Sequence, residues 1–134
     1  MASQQPIFRT ITVAHGQTVT LGQPVPTDVW PLTEADGLTG RKMIKGDFGG
    51  AESIRMQLAA EPDPHNAPVQ NITFAYAPGT DYTGMVNAFM GELGQPASQT
   101  PDSALWQDPQ TSFEVYNRGS VGSQLTNLAP LSAA

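Results

Sequence analysis

The chain has 134 residues, room for one compact domain with its own core but not for two. Twelve acidic residues stand against six basic ones, a net charge of −6, which argues against nucleic acid and anionic membrane surfaces because both need a positive face. There is no Cys, so disulfides and thiolate chemistry are excluded, and no apolar run approaches the roughly 18 residues of a membrane-spanning helix.

The first six residues, Met1-Ala2-Ser3-Gln4-Gln5-Pro6, lack the basic and apolar regions of a signal peptide, although a chain whose signal had been removed would begin the same way. Beyond them the apolar pattern has period two. Ile7, Ile11 and Val13 fall on one face of a strand, with Arg9 the exception, and Val19 and Leu21 alternate in a second strand after a His15-Gly16 turn. Pro24, Pro26 and Pro31 keep residues 24–40 from holding any helix longer than a turn or two. A strand is expected over 41–48. Another follows where Ile54, Met56 and Leu58 alternate with Arg55 and Gln57. The proline-rich segment 61–68 then joins it to a partner strand over 69–76, as a hairpin with a long loop.

One helix is predicted, over 80–93. Tyr82, Met85, Val86, Phe89, Met90 and Leu93 follow the spacing of a single helical stripe. Thr80 or Asp81 supplies the expected side-chain cap, Gly94 the left-handed stop, and Pro96 bars continuation. Two further strands are expected near 104–107 and 111–117, turning at Asp108-Pro109. The segment 119–134 has scattered leucines without period and is read as a loosely ordered tail, so the domain is expected to span 1–118. The fold class implied is α+β: a single antiparallel sheet of about five to seven strands with the helix on one face. The helix stripe is expected to lie against Ile54, Met56, Leu58, Ile72 and Phe74.

A tetrapeptide recurs, as Leu21-Gly22-Gln23-Pro24 and Leu93-Gly94-Gln95-Pro96, and each copy is followed by a tryptophan, Trp30 or Trp106. A duplicated unit would produce this; so would ordinary Gly-x-Pro turn chemistry. Signs of chemistry are sparse. His65 shares its loop with Glu61 and Asp63, but no Asp-x-Asp-x-Asp-Gly pattern is present, and a solvated acidic loop is the simpler reading. There is no Gly-x-Ser-x-Gly elbow; Gly119-Ser120-Val121-Gly122 misses its spacing. The common phosphate-binding loops are missing as well. Asn71-Ile72-Thr73 fits the glycosylation acceptor pattern but falls within a strand, where chance explains it. No catalytic residue, cofactor or metal ligand is therefore assigned.

The aromatic residues offer more. Trp30, Trp106, Tyr82 and Tyr116 lie near turns or strand ends, where an aromatic ring can face both core and water. These four are the candidate binding residues on a face for a protein or carbohydrate partner, with the two tryptophan loops, 24–37 and 95–108, as the contact surface. Their competing reading is core and rim of a small domain.

Met85, Val86, Leu93-Gly94-Gln95-Pro96 and Trp106 sit in a stretch, 79–116, that resembles modules of the SmpA/OmlA-type outer-membrane lipoproteins and of β-lactamase inhibitor proteins. In those modules a short helix ends in a Leu-Gly-x-Pro step, and an antiparallel sheet packs on it. The chain departs from the lipoproteins in lacking a lipid-bearing cysteine. The resemblance implies a non-catalytic binding or inhibitory domain working outside the cytoplasm. Two other functions compete with it. One is a small hydrolase or isomerase with an Asp or Glu base in a sheet pocket; the other is a structural subunit assembling through strand edges.

Overall fold

A computed structural model of the chain describes residues 7, 9–13, 16–35, 40–44, 51–59, 67–77 and 79–128. In chain order its strands are β1 (Thr10–Thr12), β2 (Thr18–Thr20), β3 (Glu34–Ala35), β4 (Gly40–Ile44), β5 (Ser53–Leu58) and β6 (Val69–Ala75). The helix α1 (Tyr82–Leu93) comes next, then β7 (Ser98–Thr100), β8 (Ser103–Gln107), β9 (Thr111–Asn117) and β10 (Val121–Asn127). β1 and β2 form a separate two-stranded ribbon. The other eight strands make one antiparallel sheet in the order β3-β4-β5-β6-β10-β9-β8-β7.

The α+β class follows the sequence pattern. The expected single sheet of about five to seven strands does not: ten strands are present among the described residues, divided between two sheets. The additional edge strands β3 and β7 have two and three residues. At that length a period of two leaves no legible mark.

The larger correction concerns the chain's end. Residues 121–127, read from sequence as part of a loose tail, form β10 at the middle of the sheet, paired with β6 on one side and β9 on the other. The apolar pattern hides this strand because two of its core-facing positions, Ser123 and Asn127, are polar. Each has a partner. Ser123 Oγ lies 3.0 Å from the hydroxyl of Tyr76, and Asn127 Oδ1 accepts a 2.6 Å hydrogen bond from Arg9 Nη2. Burial raises the Tyr76 hydroxyl to a pKa of about 12, against the lowering effect of Ser123.

Period two is plain elsewhere. Ile54, Met56 and Leu58 of β5 are buried while Arg55 and Gln57 are exposed. β5 and β6 pair antiparallel as the expected hairpin, with Met56 opposite Ile72 and Ile54 opposite Phe74. The middle of their connection, 60–66, with Glu61, Asp63 and His65, lies outside the described residues, as does His15.

Helix α1 buries Val86, Phe89 and Leu93, with Tyr82, Met85 and Met90 partly buried beside them. It packs against β8 and β9, which the expectation of β5 and β6 did not include. The Phe89 ring meets Phe113 edge-on at 4.8 Å and Trp106 at 6.2 Å between centroids. Short connections join α1 to β7, β8 and β9, which follow it in the chain. The helix start also differs from expectation. Asp81 occupies the N-cap without a side-chain capping bond, and Thr80 Oγ1 donates instead to Ala77 O at 2.6 Å. The stop is as read. Gly94 has φ 84°, a conformation that favours glycine, and its N–H donates to Met90 O at 2.9 Å.

The ribbon is fastened to the sheet by polar groups as well as by its buried Ile11, Val13, Val19 and Leu21. Arg9 Nη1 donates to Gln110 O at 2.7 Å and to Thr111 Oγ1 at 2.8 Å. Its Nη2 reaches Leu21 O at 3.3 Å in addition to Asn127. Asp108 completes the clasp by accepting from the main-chain N–H of Ile7, Gln110 and Thr111. Burial alone would raise the Asp108 carboxyl, but those three N–H groups and the Arg9 charge outweigh it and hold the pKa below its ordinary value.

Candidate binding surface

Trp30 sits where the ribbon hands the chain to the large sheet. Pro26 fixes the backbone for a turn, and its carbonyl accepts from both Val29 N (3.0 Å) and Trp30 N (2.9 Å). A single 3-10 turn, Trp30–Leu32, follows with Pro31 near its start. Fully buried Val29 anchors one side of this turn, and buried Thr33 closes the other, its N–H and Oγ1 both bonded to Trp30 O at 3.1 and 2.8 Å.

Arg41, on β4, locks the arrangement. Its Nε donates to Thr33 Oγ1 at 2.8 Å and its Nη2 to Thr33 O at 2.9 Å. The guanidinium then lies 4.4 Å from the Trp30 ring centroid, a cation–π contact. Trp30 is thus half-buried and pinned, with Pro31 exposed beside it. Indole, guanidinium and apolar ring at one corner can grip a partner's side chains; nothing in the set can activate a nucleophile or hold a metal.

Tyr116 occupies the opposite half of the sheet. It belongs to the outward positions of β9, and a Cβ on its neighbour Gly122 would come within 2.8 Å of the tyrosine ring. Only glycine permits the ring to settle that close to the backbone. Arg118 covers the ring, 5.0 Å from its centroid, and reaches the Glu114 carboxylate at 3.8 Å. Burial raises the Tyr116 hydroxyl, with Arg118 opposing and Glu114 adding to the shift. The ring is therefore sandwiched between Gly122 and Arg118.

The other two candidates fare differently. Trp106 is fully buried on β8, its ring 6.0 Å from Phe113 and its Nε1–H donating to Gly94 O at 2.9 Å. That corrects its assignment as a contact residue. It is the core residue that ties the end of α1 to the sheet. Tyr82 opens α1 half-buried, and its buried hydroxyl has no hydrogen-bond partner among the described residues. Burial raises its pKa first, with Asp102 and Glu114 adding to the effect.

The four aromatics do not form one surface. β4, which carries the Trp30 clamp, and β9, which carries Tyr116, are four strand spacings apart, roughly 19 Å. The two Leu-Gly-Gln-Pro steps share a left-handed glycine, φ 81° at Gly22 and 84° at Gly94. They are reached from different elements, a strand and a helix, and the tryptophans after them take unlike positions. Sequence reading missed Arg41 and Thr33 as partners of Trp30, because their pairing depends on β4 folding back beside the turn. It likewise passed over Arg9 as a flaw in a strand pattern. In that strand an inward arginine was the available signal, since burying its charge demands acceptors.

Among the described residues no three His, Asp or Glu side chains gather as a metal site, and no helix is long and apolar enough to cross a membrane. No family model, curated protein or solved structure matches the chain.

Proposed function

We propose that the chain is a non-catalytic binding module that engages a protein partner through the Trp30 corner, residues 26–33 together with Arg41. The observation that carries this reading is a half-exposed tryptophan immobilised by an arginine that is itself hydrogen-bonded to a buried threonine. Trp and Arg dominate the energetics of protein interfaces, and a ring already held in place loses little entropy when a partner closes on it. Tyr116 and Tyr82 are secondary contacts at most in this reading, being sandwiched or half-buried elsewhere.

The likeness of 79–116 to the SmpA/OmlA-type and β-lactamase inhibitor modules belongs to the same proposal, with the extracytoplasmic setting it implies. Its support is that α1 stops at Gly94 and that the strand bearing Trp106 packs against it. Assembly through strand edges is less favoured, because β3 and β7 at the two edges are short, a common guard against such pairing.

Photo-crosslinking in the cells that make the protein tests the reading. A benzophenone side chain at position 31 should give a discrete protein adduct, and one at Gln107 should not. Once the partner is in hand, Trp30→Ala should weaken binding by about 30-fold or more, equivalent to about 2 kcal/mol. Equal adducts from both positions, or unchanged affinity of the variant, would refute it.

A further inference from the structure

We draw no further inference here: the strongest candidate, the half-exposed polar face of the eight-stranded sheet that runs from the Tyr116–Arg118 stack past Gln124 and Thr73 to Thr126, carries none because nothing in the structure shows what covers it.

Discussion

Trp30 and Trp106 each follow a Leu-Gly-Gln-Pro step, yet they end in opposite environments. Trp106 lies on a strand beneath α1, fully buried, with its indole N–H spent on the carbonyl of the helix-terminating glycine. Trp30 lies in a single 3-10 turn at the sheet's margin, half-exposed, where an arginine holds its ring. The tetrapeptide sets a turn; what covers the next aromatic is set by the element packed above it. A tryptophan's role therefore follows from its cover, and the two can be separated by substitution.

The largest expected effect is on the buried side. Trp106→Ala removes a large ring from a closed core and should cost about 3–5 kcal/mol of stability, with Phe89→Ala close behind. Denaturant melts measure both. A loss below about 1 kcal/mol for either would mean that α1 does not rest on β8 and β9.

The ribbon leading into the Trp30 turn comes next. Arg9→Ala removes the donor from Thr111 Oγ1, Asn127 Oδ1 and two main-chain carbonyls. It should cost about 2–3 kcal/mol, as expected for charge-assisted bonds in a partly buried setting. If the melt is unchanged, the clasp is ornamental and the ribbon is held by its apolar residues and by main-chain bonds such as Gly22 N–H to Val69 O.

Arg41→Ala should be milder, about 1–2 kcal/mol, because the site is half-exposed and only the Thr33 acceptors are stranded. Its distinctive mark is mobility. The indole of Trp30 should show lower fluorescence anisotropy, which Arg41→Lys restores only in part because an ammonium lacks the guanidinium's planar fork. Unchanged anisotropy in the alanine variant would break the link between the two side chains.

The smallest effect is one of pH. The folded state holds the Asp108 carboxyl below its ordinary pKa, so its contribution to stability is full above the unfolded value, about 3.9, and is lost as pH falls through the folded one. Asp108→Asn should flatten that part of the acid stability curve and leave the neutral-pH slope unaltered. An unchanged acid limb would show that other carboxylates set it.

How legible all this was depended on pattern length. β5, β6, β9 and α1 each repeat their apolar period several times, and the sequence located all four. β10 was lost because Ser123 and Asn127 face inward, and their partners, Tyr76 and Arg9, lie far away in the chain. β3 and β7 were too short to register. The Trp30 corner was half legible: the ring's candidacy could be read, but Arg41's place above it depends on β4 pairing with the edge strand beside Thr33. Trp106 was misassigned because its pattern fits a buried strand position and a turn-proximal surface equally well. Only the helix overhead decides between them.

The most direct test of the central claim is acrylamide quenching of single-tryptophan variants, Trp106→Phe to isolate Trp30 and Trp30→Phe to isolate Trp106, each with a melt to show that it is folded. Trp30 alone should be quenched readily, and more so when Arg41→Ala is added, while Trp106 alone should resist the quencher until the protein unfolds. If Trp30 proves as sheltered as Trp106, the corner offers no ring to a partner and the proposed binding surface is wrong.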